Sequence, residues 1–173
     1  GAAYLAGYGL ALAAHEWASR PTEPRRAALI QAAERLRQSR PLDRRVGTFL
    51  DAALALADSA LLSGGDAEAA IVAHTAATLS RADRVAERCG RIAAGLLEDG
   101  DELLTLGNAS TALGWAFAAA RAEDKQLRLI LVADAVPANA PPWMEYIATR
   151  LQVAVQRRAP TDGVAGTLCL LTA

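Results

Sequence analysis

From Gly1 to Glu98 the apolar positions recur every three or four residues, the period of helices that bury one face. Gly1 to Ser19 is Ala-rich and apolar on nearly every side, which reads as a buried helix in which Gly7 and Gly9 permit close backbone approach. Each glycine also weakens a helix by about 1 kcal/mol against alanine, so an early break stays open as an alternative. Arg20 to Pro24 reads as a linker. Arg25 to Ser39 follows as an amphipathic helix, with Leu29, Ala32, Ala33 and Leu36 on one face and arginines on the other. Pro41 sits where a new helix can start, and Leu42 to Leu62 places Val46, Phe49, Leu50, Ala53, Leu54 and Leu56 at helical spacing. Ser63-Gly64-Gly65 ends it. Asp66 then caps a long stretch to Glu98, continuous or broken around Ser80, whose apolar positions include Ile71, Val72, Leu79, Val85, Ile92, Leu96 and Leu97.

At Gly100 the period changes. Glu102 to Leu106 reads as a short buried strand, Gly107 to Thr111 as an elbow, and Ala109 to Arg121 as an apolar helix. Glu123 to Lys125 is a polar turn, and Leu127 to Ala133 is a second strand. A Pro-rich loop (Pro137 to Pro142), a short helix (Trp143 to Arg150) and a third strand (Leu151 to Val155) follow, then an apolar segment from Arg157 to Ala173. Strands separated by single helices imply a parallel, doubly wound sheet. The expected fold is therefore α/β: a helical N-terminal region over residues 1–98, followed by a small Rossmann-like parallel sheet half over residues 99–173.

The composition narrows the partners. The chain has 173 residues, 53% of them hydrophobic but only 5% aromatic, which favours helices packed closely through small side chains. A formal charge of -1 gives no electrostatic reason to expect nucleic acid or an anionic membrane. No apolar run is long enough to span a bilayer. Ala2 to Ala14 resembles the apolar part of a signal peptide but lacks a basic lead and a clear cleavage site, so the expected compartment is the cytoplasm. Cys89 and Cys169 share no motif and read as buried thiols, with a single disulfide the alternative. The abrupt opening into helical sequence points to a segment upstream of Gly1.

Candidate chemistry concentrates at the elbow. A strand that turns sharply into a helix aims the helix's unpaired N–H groups above the strand's carboxyl end, which suits a phosphate or carboxylate. The candidate ligand-binding residues are Gly107, Asn108, Ala109, Ser110 and Thr111, with Asp134 at the end of the second strand. Asp162, after the third strand, is the candidate acid/base if the protein is an enzyme. The plainer readings are that Asn108, Ser110 or Thr111 only caps the helix, and that the two aspartates only close turns. His15 and His74 are solitary, without a second ligand one turn away, so no metal is expected. The common nucleotide and serine-nucleophile motifs are absent, and no cofactor is called for.

These residues resemble the superfamily of initiation factor 2B and methylthioribose-1-phosphate isomerase. The resemblance runs through Tyr8 to Ala13, Arg91 to Gly100 leading into Asp101 to Ala109, Leu129 to Pro137 and Thr161 to Gly166, with Leu104-Thr105-Leu106-Gly107-Asn108 its best-matched motif. It implies a helical domain joined to a Rossmann-like one, in dimers or higher assemblies. Family isomerases read Leu-Thr-His-Cys-Asn at the elbow, where the cysteine and a later aspartate are held to move protons during aldose-to-ketose conversion of a ribose 1-phosphate derivative. Here Gly107 stands at the cysteine's place and Leu106 at the histidine's, while Asp162 matches the aspartate. The Glu-Thr-Arg-Pro element is reduced to Asp134-Ala135-Val136-Pro137, without its arginine. The family's Arg-Gly-Ala-Pro, Gly-Ala-Asp and Asn-Gly elements are also lacking. The resemblance implies a non-catalytic initiation-factor-2B-like binding or assembly protein, sensing a phosphorylated sugar or nucleotide. The alternative is an isomerase-like enzyme with a rebuilt site, in which a partner chain supplies missing groups. Either way a homodimer or larger complex is expected, since Leu168 to Leu171 and the edge of a small sheet leave apolar surface to cover.

Overall fold

Capping carboxylates decide where two of the helices, the third and the fourth, begin. The computed structural model describes residues 2–106, 111–132, 149–158 and 168–169. Helix α1 spans Ala2–Glu16. Helix α2 spans Thr22–Ser39 and so starts inside the expected linker. Pro21 stands at its cap position with φ -56°, and Pro24 falls in the first turn, where no intrahelical N–H bond is lost. Helix α3 (Arg44–Leu62) starts two residues later than expected, because the Asp43 carboxylate accepts from Arg45 N at 3.1 Å. Helix α4 (Ala67–Ala94) is capped by Asp66, which accepts from Glu68 N at 2.9 Å and Ala69 N at 3.2 Å. It runs unbroken through Ser80 and stops before the expected Glu98. The chain then turns through Gly95 to Leu97, and Glu98 N donates to Asp101 Oδ2 at 2.8 Å.

The chain divides into two compact units, Gly1–Arg81 and Ala82–Ala173, with the boundary inside α4. In the first unit Leu10, Leu29, Ala33, Val46, Phe49, Leu50, Ala53 and Ile71 form one core. Small residues bring the helices together as the composition predicts. A side chain at Gly7 would run into Thr75 Oγ1 and lie 2.8 Å from Phe49 Cζ. Thr75 is fully buried and satisfied, its hydroxyl donating to Ile71 O at 2.8 Å.

The second unit is the sheet. Strands β1 (Glu102–Leu106), β2 (Arg128–Val132), β3 (Ala154–Arg158) and β4 (Leu168–Cys169) lie in the order β3-β2-β1-β4, and every pairing is parallel. Helix α5 (Thr111–Ala122) connects β1 to β2. Alternation assigns the faces. Leu103 and Leu129 pack with Leu113, Phe117 and Ala120 of α5 and with Ala94 and Leu97, whereas Leu104 and Ile130 cluster separately.

Register is fixed from the amino ends. Gly100, at φ 88°, donates to Gln126 O at 2.9 Å, and Gln126 N returns a bond to Asp99 Oδ1 at 2.7 Å. Arg128 pairs with Glu102 across the two strands. Strand β3 starts three residues later than the expected Leu151. Gln152 sits at φ 59°, and Arg121 donates to Leu151 O and, at 2.6 Å, to Gln152 Oε1, so this pair closes a turn before the strand can run. Strand β4, drawn from what the sequence presents as a closing apolar segment, adds to the far side of β1. The expected helix from Trp143 lies outside the described residues as far as position 148.

Two expectations about burial are corrected. Cys89 is an exposed free thiol, standing about 100° round α4 from Gly90, the residue against α5. Along the same helix Val72, Val85 and Ile92 are exposed too, as are Leu96 in the turn after it and Leu56 on α3.

Candidate functional site at the carboxyl end of the sheet

In an open parallel sheet the ligand crevice lies beyond the carboxyl ends of the strands, where the strand order reverses. Here the chain moves from β1 outward to β2 and β3, then returns to the other side of β1 as β4. The reversal therefore falls beside β1, and β1 is followed in the chain by residues 107–110 and then α5.

Packing holds α5 against the sheet face that carries Leu103 and Leu129. Leu113, Ala116, Phe117 and Ala120 are all buried. Gly90 of α4 lets the two helices meet almost backbone to backbone: a Cβ there would run into Trp115 Cβ and lie 2.7 Å from Ala116 N and 2.8 Å from Ala112 O. The amino end of α5 is thus set by contacts that leave it little room to shift.

Of the residues the sequence singles out, Thr111 is the first of α5 and is exposed to solvent. Gly107, Asn108, Ala109, Ser110, Asp134 and Asp162 lie outside the described residues. Asp134 follows β2, and Asp162 belongs to the connection between β3 and β4.

The structure adds one residue to this end of the sheet. Thr105, next to last in β1, is 1% exposed, and its Oγ1 has no hydrogen-bond partner among the described residues. Alternation puts it on the same face as Leu103, the face that carries α5. A buried hydroxyl without a partner costs about 1–3 kcal/mol, so its place is informative. In the sequence Thr105 is only a hydroxyl within the apolar run Leu103 to Leu106, which by itself does not mark a site.

The histidines do other work. His15 Nδ1 lies 2.9 Å from Glu68 Oε2, and this hydrogen bond raises the imidazole above its ordinary pKa of 6.5. His74 packs its ring against Phe49 with centroids 4.9 Å apart. Its buried Nε2 has no hydrogen-bond partner among the described residues. Among those residues no three of His, Cys, Asp and Glu gather as metal ligands, and no helix is long and apolar enough to cross a membrane.

A family model described as the initiation factor 2 subunit family matches residues 3–145. The chain belongs to that family. No curated protein matches it. Among solved structures, it resembles the delta subunit of translation initiation factor eIF-2B from A. fulgidus at 22% identity and a TM-score of 0.70, covering 91% of this chain and 48% of that one. It resembles eIF-2B from Pyrococcus horikoshii OT3 at 17% identity and a TM-score of 0.60, covering 92% and 54%. The tetrameric eIF2B-beta2-delta2 complex from C. thermophilum matches at 13% identity and a TM-score of 0.58, covering 95% and 54%. At these identities the likenesses establish the shared fold, and the chain spans about half the length of each solved relative. An α/β fold with its helices first and a parallel sheet after them is the family's architecture in this chain.

Proposed function

We propose that the chain is a non-catalytic binding and assembly protein of the initiation factor 2B type, receiving the phosphate of a sugar or nucleotide at the elbow between β1 and α5. One observation carries the reading: the strand that feeds the elbow is the strand at which the parallel order reverses. The donors in this reading are the backbone N–H groups from Asn108 to Thr111, helped by the Asn108 and Ser110 side chains. Gly107 leaves room where the isomerases carry a thiol, and without that thiol the usual proton carrier is missing. Asp134 and Asp162 suit sugar hydroxyls and repel phosphate, which leaves the phosphate to the elbow.

Assembly is supported by the solved relative that forms a tetramer and by a sheet with two edges, β3 and β4. A homodimer or larger complex in the cytoplasm fits an exposed free thiol at Cys89.

The deciding experiment is calorimetric titration with ribose phosphates and nucleoside monophosphates on the parent chain and on Asn108→Leu. Binding to the parent that weakens at least about tenfold in the variant, a loss of about 1.4 kcal/mol, is expected. Binding unchanged in Asn108→Leu removes the elbow from the site. Aldose-to-ketose conversion by the parent, followed by NMR and lost in Asp162→Asn, would replace this reading with the isomerase one. Light scattering that finds only monomer at micromolar concentration would remove assembly.

A further inference from the structure

The carboxyl-terminal half of α4 and the turn after it carry an apolar stripe that no described residue covers. Val85, Cys89, Ile92 and Leu96 follow one another at steps of four, three and four residues, the spacing of a coiled-coil seam. Val85 is 58% exposed, Ile92 60% and Leu96, just past the helix end, 77%, and the Cys89 thiol is free at the surface. The stripe lies well round the helix from Gly90, the residue that contacts α5, so α5 does not shield it.

Its two flanks differ. On one side Ala82, Ala86 and Ala93 continue the small apolar surface. On the other stand Arg84, Arg88 and Arg91, all exposed. Arg91 is paired with Glu87 at 3.1 Å, one turn back on its own helix. Among the described residues neither Arg84 nor Arg88 has a carboxylate at ion-pair distance. A seam with one cationic flank selects its partner by charge, as flanking positions do in helix pairs. A second α4 in antiparallel register would bring arginine flank against arginine flank, which disfavours self-pairing through this face.

We infer that this face of α4 docks an amphipathic helix of a partner protein, one whose apolar stripe is bordered by glutamates or aspartates. The inference deepens the assembly part of the function proposed above and uses nothing from the elbow. Arg84 and Arg88 face the partner's acidic border, and Ile92 fills the seam between Cys89 and Leu96. A cationic amphipathic face also suits an anionic membrane, so the test separates the two.

Cys89 supplies the readout. Its alkylation by a maleimide on the full chain is followed by mass spectrometry, with a synthetic probe helix of about three heptads carrying leucine at the seam and glutamate on its borders. A second probe has lysine borders. Vesicles of phosphatidylcholine with about one-quarter phosphatidylserine are the third arm. The glutamate probe is expected to slow Cys89 alkylation about tenfold at ten times its Kd, the lysine probe and the vesicles to leave it unchanged. About 1 M NaCl, where the screening length falls to about 3 Å, is expected to reduce the protection. The double variant Arg84→Glu, Arg88→Glu is expected to exchange the preference, now favouring the lysine probe, and Ile92→Glu to abolish protection by either. The inference is overturned if the glutamate probe gives no protection, if both probes protect equally, or if the vesicles protect better than the glutamate probe. Because the thiol reports on α4 alone, its failure would leave calorimetry at the elbow unaffected, and the reverse.

Discussion

Replacing Gly90 by alanine tests whether α4 and α5 cross as closely as the structure has them. The added methyl would lie 2.7 Å from Ala116 N and 2.8 Å from Ala112 O, and would press on Trp115 Cβ. Ordinary contacts to carbon begin at about 3.4 Å, so the shortfall is about 0.6–0.7 Å at the two backbone atoms and larger at Trp115 Cβ, and each of these atoms belongs to the α5 backbone or to a Cβ fixed on it. No rotamer change relieves that. Helix α5 must back away, loosening Leu113 and Phe117 from Leu103 and Leu129. Overpacking of this kind costs about 1–3 kcal/mol, and this site belongs at the upper end because nothing flexible can yield. Alanine recovers about 1 kcal/mol of helix propensity. The net loss is about 1–2 kcal/mol, a fall in Tm of about 2–8 °C for a chain of this size. Gly47→Ala is the control, since its added methyl would meet only Arg37 Nε at 4.0 Å, and α3 is expected to gain up to about 1 kcal/mol. Urea unfolding followed by circular dichroism, with calorimetry for Tm, measures both. A Gly90→Ala protein as stable as the parent, beside a Gly47→Ala protein that behaves as expected, would refute the close crossing.

The remaining predictions concern single side chains. Glu68 raises the His15 pKa, so this pair's stabilisation is fully present below the ordinary imidazole pKa of 6.5 and disappears as pH rises through the raised folded value. NMR titration of the His15 ring should show the raised midpoint in the parent and its return towards 6.5 in Glu68→Gln, and equal midpoints would dismiss the pair. Thr105→Val replaces a buried, unpartnered hydroxyl with a methyl, so unfolding free energy should stay level or rise by about 1 kcal/mol, whereas a loss of that size would reveal a hidden partner. Gly7→Ala should destabilise less than Gly90→Ala, because Phe49 and Thr75 meet the new methyl with side chains rather than backbone, and thermal melts of both variants rank them.

Helical spacing made most of the first unit legible. Val46, Phe49, Leu50 and Ala53 stand in the core as their positions imply. Strands β1 and β2 were also readable, because each is a short apolar run closed by a turn. Boundaries escaped wherever a side chain overrode the periodicity: Asp43 delays α3, and the Arg121 bonds to Leu151 and Gln152 delay β3. Periodicity alone also treats an apolar residue as buried, which fails on α4 and the turn after it, where Val85, Ile92 and Leu96 follow helical spacing onto a face that is exposed. At the candidate site the sequence pointed to the elbow through residue types and resemblance. Thr105 was not legible as a site residue, since its significance depends on burial and on the lack of a partner, and neither has a signature in the chain.

The position of β4 bears on how the protein is made. Strand β1 can pair with β2 as soon as α5 and β2 have been synthesised, but its other edge stays open until Leu168 and Cys169 have been added. Throughout that interval the nascent chain presents one unpaired edge of an apolar strand, Leu103 to Leu106. Such an edge recruits other strands and is a natural target for chaperones. Ribosome-bound chains that stop after β2 should therefore aggregate or bind chaperones more readily than chains that extend past Cys169. The helices of the first unit, which precede the sheet in the chain, would already have been synthesised.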